Sequence, residues 1–202
     1  MVGGLLLLVD EQVNEKIMNV ISNSKGKKSN EVDGRLAIQQ RFKVASEFLT
    51  PVRKLIHRGF ATRMKGKTPF GRAMSYVLLR AVAGNYPDQY VDPAMVRLSE
   101  GVLRNPIRTA VTRQGRTITV EAVSLGGNPV GVNEAWDDQL ILCAYHPELR
   151  VAGINDEKRL REDGSVTLEL PPLLQDRPVH LYLMAHDRHE RKWSNSCYLG
   201  AF

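Results

Sequence analysis

The stretch "HDRHE", His186 to Glu190, gathers two imidazoles and two carboxylates within five residues. A metal would take those ligands, but Arg188 sits among them and Arg191 and Lys192 follow, and that positive charge repels a cation. The spacing is not the paired-histidine helix of a metalloprotease either. A solvated hairpin tip is the expected structure. Ser194 and Ser196 lie close by, yet no G-x-S-x-G elbow surrounds them. Seryl catalysis also needs a base and an orienting acid converging in space, so a hydrolase using this C-terminal hairpin is the weakest of three functional readings. Gly66-Lys67-Thr68 has the ending of a phosphate-binding loop, but the glycine required five positions earlier is replaced by Ala61, and a helix cap accounts for Thr68. His57, on the polar side of a basic helix, and His146, before a proline in a turn, read as surface histidines. No catalytic residue, cofactor site or metal site is assigned.

Cys143 and Cys197 permit one internal disulfide at most. Their separation of 54 residues would suit a bridge between two sheets. A companion of an immunoglobulin disulfide is missing, because Asn195, two residues before the second Cys, stands where a Tyr is expected. Two separate reduced thiols are the expectation.

The remaining chemistry is charge. Arg35 to Arg80 holds 11 Lys or Arg against the single acid Glu47, a balance of +10. Thr117 to Phe202 holds 8 basic and 13 acidic residues, a balance of −5. The split points to two modules with different surfaces. Within the basic one, Arg41, Lys43, Arg53, Lys54, Arg58, Arg63, Lys65, Lys67 and Arg72 form a candidate polyanion-binding face. No aromatic residue alternates with them as a base-stacking platform requires. A membrane-surface helix fits less well, since Pro51 interrupts the apolar side and no Trp flanks it.

Helices must position these cations. Ile38, Phe42, Ala45, Leu49, Val52 and Ile56 recur at steps of four and three, with Phe48 and Leu55 widening the stripe. Pro51 predicts a kink or break, with Thr50 as a cap, and Gly59 closes the run. A second helix starts at Thr68-Pro69, continues through Phe70, Ala73, Met74, Val77, Leu78 and Ala81, and is expected to end at Gly84. The charge of both is expected to face outward. Before them, residues 1–21 suit a short helix through "DEQVNEKIMNVI", striped by Val13, Ile17 and Val20, and Ser22 to Gly34 reads as a linker.

Beyond about Ala94 the period becomes two. "TAVTRQGRTITVEAV" predicts a hairpin turning near Gln114-Gly115, and "DQLILCAY", "SVTLELP", "PVHLYLMAH" and "SNSCYLGAF" are further strands. Gly126 to Pro129, Asp163-Gly164 and Asp187 to Lys192 separate them. The predicted fold is α+β: residues 1–34 as N-terminal segment and linker, 35–93 as a basic helical pair, and 94–202 as an antiparallel, immunoglobulin-like β-sandwich. No apolar run, Leu5 to Val9 included, approaches the ~20 residues of a membrane span. "MVGGLLLLVDEQ" lacks the basic lead of a signal peptide, so the expected location is cytoplasmic, or that of a mature protein whose leader is removed.

"QQRFKVASEFLTPVRKLIHRGF", "KTPFGRAMSYVLLRAVAGNYPDQYVDPAMVRLSEG" and "SNSCYLG" together resemble an uncharacterised protein family of Bacteroidota, domain of unknown function 6266. The resemblance runs from Arg35 to the C-terminus. It rests on the Gly59-Phe60 step, K-T-x-F from Lys67, G-x-Y-P from Gly84, S-x-G from Ser99, and the terminal S-N-S-x-Y-L-G from Ser194. The first thirty-odd residues depart from the glycine-rich opening usual in that family. The resemblance carries no catalytic residues and implies a non-enzymatic protein whose sandwich offers a binding or assembly surface. The leading expectation is thus a structural or interaction protein whose partner is another protein or itself. A nucleic-acid-binding accessory protein using the basic helical face is the alternative.

Overall fold

The computed structural model describes residues 34–60, 62, 64–123 and 133–202. The helix expected within residues 1–21, the linker up to residue 33, Arg63 of the cationic set and the Gly126–Pro129 turn lie outside the described residues.

The long helical run breaks where proline requires it. Helix α1 covers 34–49 and α2 covers Arg53–Gly59. Thr50 does not cap α2. Its hydroxyl donates to the Ser46 carbonyl at 2.7 Å and closes α1, while Val52 stands at the N-cap with no side-chain bond. Two residues separate Thr50 from the first helical residue of α2, so its oxygen is too far back for the free amides. Helix α3, Pro69–Arg80, begins as expected, with Thr68 Oγ1 accepting from the Gly71 amide at 3.0 Å. It stops four residues before Gly84, because β1 (Val82–Ala83) turns to pair with β2 (Tyr90–Val91) in a short antiparallel ribbon. Gly84 supplies the left-handed residue of that ribbon's loop, at φ +80°.

Two sheets follow. Strands β3 (Ile107–Gln114) and β4 (Thr117–Val123) form the expected hairpin, turning through Gly115 at φ +58°, and β8 (Ser165–Glu169) completes an antiparallel three-stranded sheet in the order β3-β4-β8. The larger sheet runs β10 (Cys197–Ala201), β9 (His180–His186), β5 (Gln139–His146), β6 (Val151–Ile154), with β7 (Arg159–Leu160) also paired to β5. Strands β1, β2, β6 and β7 escape sequence reading because two to four residues give a period no room to show. Asn155, between β6 and β7, fills the gap they leave. Its side chain accepts from the Leu142 amide at 2.8 Å and donates to the Leu140 carbonyl at 3.2 Å, so the β5 ladder continues through an amide side chain.

The five-stranded sheet is covered on both faces. Ile141, Cys143, Tyr145, Tyr182 and Met184 share one core with Leu49, Ile56, Phe60 and Val77 of the helical region. Leu140, Leu142, Leu181 and Leu183 share a second core with Ile118, Val120, Val166 and Leu168 of the smaller sheet. Double coverage explains why "LILCAYH" and "LYLMAH" are apolar without alternation. Two tyrosines fix the helical layer to the sheet: Tyr145 donates to the Phe48 carbonyl at 2.9 Å, and Tyr182 donates to the Pro93 carbonyl at 2.8 Å. Each phenol thereby satisfies its own polar atom in an apolar setting.

Candidate functional site

The structure divides the nine-residue cationic set. Lys43, Arg53, Lys54, Lys65 and Lys67 are exposed, with Arg53 lying over the Phe70 ring at 5.1 Å. Three others are engaged within the chain, against the expectation that the charge faces outward. Arg41 donates to the Leu78 carbonyl at 2.6 Å, tying α1 to the end of α3. Arg72, whose side chain is 8% exposed, donates to the Thr62 carbonyl at 2.6 Å and pairs with Glu100 at 3.2 Å. Arg58 grips both oxygens of Glu190 at 3.0 and 2.9 Å. Arginine can do this because its planar fork satisfies carbonyls and carboxylates while its stem packs on apolar surface.

The "HDRHE" turn is not wholly a solvated tip. His186 is fully buried, its ring 4.8 Å from that of Trp193, and its Nδ1 lies 2.7 Å from the Asp187 carbonyl. The reason is register: His186 ends β9 on the side of Tyr182 and Met184, the side that faces the helices. Asp187 caps the turn by accepting from the amides of Arg191 and Lys192, and Glu190 is committed to Arg58, which holds its carboxyl below the usual carboxylate range. His146 is likewise buried, accepting from the Leu149 amide at 3.3 Å, rather than lying on the surface. Among the described residues no three His, Cys, Asp or Glu side chains are grouped to hold a metal.

The serines are spoken for in a lattice between residues 98–103 and 193–196. Ser194 is buried, and its hydroxyl accepts from the Ala185 amide at 2.9 Å and donates to the Asn195 carbonyl at 3.1 Å. Ser196 Oγ accepts from the Leu98 amide, Ser99 Oγ donates to the Ser194 carbonyl, and the Leu103 amide donates to the Trp193 carbonyl. This lattice requires two glycines. A Cβ on Gly101 would lie 1.9 Å from the Trp193 carbonyl oxygen, and one on Gly59 would lie 2.6 Å from that of Leu98. The Gly59-Phe60 step, Ser99-Glu100-Gly101 and Ser194-Asn195-Ser196, widely spaced in sequence, therefore meet at one point. Their chemistry is structural hydrogen bonding.

Both cysteines are free thiols. They lie in the same sheet, one strand apart, since Cys143 pairs with Tyr182 and Cys197 with Leu183 across β9, so the bridge between two sheets has no basis. Burial pushes the Cys143 thiol up to about 12 and raises that of Cys197, against a lowering hydrogen bond from Asn105. A further buried cluster had no sequence signal: Arg161 pairs with Asp138 at 3.0 Å and Glu134 at 3.4 Å and donates to the Arg104 carbonyl. Arg161 lies at least 23 residues from each of these partners in sequence.

Among the described residues, two surface depressions stand out. One, of about 390 Å³, is walled by Val44 and Phe48 of α1, Val91 of β2 and Pro147, and edged by Glu47, Glu148, Arg150 and the largely exposed Tyr90. Glu47 and Arg150 pair across it at 3.1 Å. The other, of about 350 Å³, is polar and is lined by Thr117, Asp156, Glu157, Arg159, Thr167 and Glu169. Among the described residues, no helix is long and apolar enough to cross a membrane.

Three α-helices and mostly antiparallel sheets among the described residues define an α+β protein. The chain matches the Family of unknown function DUF6266 over residues 15–200 and belongs to that family. The match begins 20 residues before Arg35, where the sequence resemblance starts. Neither the curated proteins nor the solved structures contain a match to the chain.

Proposed function

We propose that this chain is a non-catalytic interaction protein that presents the groove beside Tyr90 to a segment of another protein or of a second copy. The observation that carries the reading is the groove itself. Val44, Phe48, Val91 and Pro147 form an apolar floor, and Glu47, Glu148 and Arg150 ring it with charge. An apolar centre inside a polar rim is the anatomy of an interface, and tyrosine is among the residues that most often anchor one. An immunoglobulin-like sandwich is the scaffold of this reading. It is supported by strand order: β3-β4-β8 and β10-β9-β5 follow the A-B-E and G-F-C order of that architecture, with β6 on the outer side of β5. The test is panning of a random peptide library against the wild type and a Val44→Asp, Tyr90→Ala variant. Related apolar peptides enriched on the wild type alone support the reading. No enrichment, or equal enrichment on both, overturns it.

A second reading, a nucleic-acid-binding accessory protein, is favoured by Lys43, Arg53, Lys54, Lys65 and Lys67, which are exposed and pair with no described carboxylate. Its test is binding of a labelled DNA duplex across a salt series, beside an Arg53→Ser, Lys54→Ser variant that leaves Arg58 on Glu190. The affinity should fall with a slope of about −0.9 per phosphate contacted, and the variant should lower that slope. No binding at low salt removes this reading.

A further inference from the structure

The larger sheet ends on a bare edge at β6. The Asn155 amide donates to the Leu142 carbonyl at 3.2 Å, and the pairs Ala144–Gly153 and His146–Val151 follow at steps of two along the same register. Residues of an antiparallel strand alternate between bonding one neighbour and turning amide and carbonyl to the other side. Gly153 and Val151 therefore bond β5, while Ala152 and Ile154 turn their amides and carbonyls outward. Among the described residues, no group bonds them. The other three edges of the two sheets are guarded. Strand β3 has a break in register between Arg108 and Ala110, and β10 has one between Tyr198 and Gly200, with the Arg108 guanidinium on its Leu199 carbonyl. Residues 156–159 stand beside β8, sharing a polar depression with its Thr167 and Glu169. Natural edges carry lysine, proline or a bulge against pairing, and Val151-Ala152-Gly153-Ile154 has none of these.

We infer that this edge pairs with the same edge of a second copy of the chain, antiparallel about a two-fold axis at Gly153. Two observations select that occupant. The first is charge. Arg150 precedes the strand and Asp156 follows it, so setting Ala152 opposite Ile154 of the second copy brings each Arg150 to the other copy's Asp156. Asp156 is exposed and pairs with no described cation. Arg150 is 56% exposed and meets Glu47 at 3.1 Å with one end of its fork. Glu148 and Lys158, both exposed, repeat the match one step further out. An in-register parallel pairing would set like charges together instead. The second observation is fit. Ile154 is 37% exposed and lies on the same side of the strand as Ala152, so each isoleucine covers the small Ala152 of the other copy. Both Ala152–Ile154 pairs exchange amide and carbonyl bonds, which extends the sheet across two chains. A contact this short covers less than the ~800 Å² per partner of a standard interface, so the dimer forms at high protein concentration. Arg150 also borders the Tyr90 groove, but the pairing rests on the strand edge and not on the apolar floor of that groove.

The experiment is sedimentation equilibrium of the full chain over a concentration series reaching the high micromolar range, comparing the wild type with Ile154→Pro and with Asp156→Arg. Ile154→Pro removes an outward amide that nothing described in the chain uses, and an edge strand accepts proline at such a position. Asp156→Arg sets arginine against arginine across the axis. The wild-type mass is expected to rise from monomer towards dimer, and Ile154→Pro should weaken that association roughly tenfold or more. Asp156→Arg should weaken it too, by more at low salt than at high salt. Thermal melts of the dilute proteins serve as the control for folding. If Ile154→Pro melts early, Asp156→Arg, at an exposed site, decides in its place. A wild type that stays monomeric at the highest concentration, or a dimer that neither substitution weakens, overturns the inference. So does a dimer kept in Ile154→Pro and lost in the Val44→Asp, Tyr90→Ala variant, which would seat the second copy in the groove.

Discussion

Arg58 and Glu190 meet across 132 residues of sequence, through two hydrogen bonds of 3.0 and 2.9 Å, with the guanidinium 5.9 Å above the Trp193 ring. The pair clips the end of α2 to the turn after β9, beside the point where Gly59 and the 98–103 segment meet Ser194. Both side chains are more than a third exposed, so solvent screens much of the attraction and its contribution is under about 1 kcal/mol. The first cause of the depressed Glu190 carboxyl is the Arg58 hydrogen bond. A carboxyl depressed in the folded state stabilises above its unfolded range and loses that contribution as pH falls through its folded value. Glu190→Gln should therefore lower the melting temperature by about a degree or two at pH 7, and the difference should shrink as pH falls below the unfolded carboxyl range, as read by thermal melts across that range.

The Arg161–Asp138 pair should behave differently, because its side chains are 1% and 2% exposed. Arg161→Ala leaves a buried carboxylate without its cation, and a loss of about 3–5 kcal/mol in urea unfolding is expected. Replacing both at once, Arg161→Met with Asp138→Leu, should recover a large part of that loss, because the buried Asp138 charge goes with its cation and Glu134 keeps Arg104 at 4.0 Å.

Gly101 has no room for a methyl group. Gly101→Ala places its Cβ against the Trp193 carbonyl, which is backbone and cannot rotate away. A destabilisation above about 2 kcal/mol is expected. Gly34→Ala, with nothing within 4 Å, is the comparison and should be neutral or slightly stabilising in the same denaturant titration.

The two thiols should separate kinetically. Cys143, raised to about 12 and fully buried, should not react with a chromogenic disulfide at pH 8 in the native protein, since only the thiolate attacks. Cys197, half-buried with Asn105 Nδ2 at 2.9 Å, should react slowly, and in denaturant both should react at once. Two fast thiols in the native protein would contradict the burial of β5.

Much of the helical and strand content is legible in the residues alone. Pro51 breaks the first helix because it lacks an amide hydrogen, Thr68-Pro69 starts the next, and the alternation around Gly115 gives the β3–β4 hairpin. The candidate site was legible only as an inventory of cations. Arg41, Arg58 and Arg72 look no different in sequence from Lys43 or Lys54, yet each has an oxygen partner supplied by a distant or separately folded segment. The burial of His186 was equally hidden, since it depends on which face of β9 the helices cover.

The sequence by itself determined where helices start and break, which strands alternate and which run apolar throughout, and how charge divides between the two parts of the chain. These are properties of neighbours within a few residues, set by backbone sterics, missing amide hydrogens and hydrophobic period. Tertiary structure alone decided that the apolar stripe of α1 is buried at Leu49 and exposed at Phe42, and that the serines of the C-terminal motif hold a lattice together. A period says which side of an element is apolar; how far another layer extends over that side depends on contacts between residues remote in sequence.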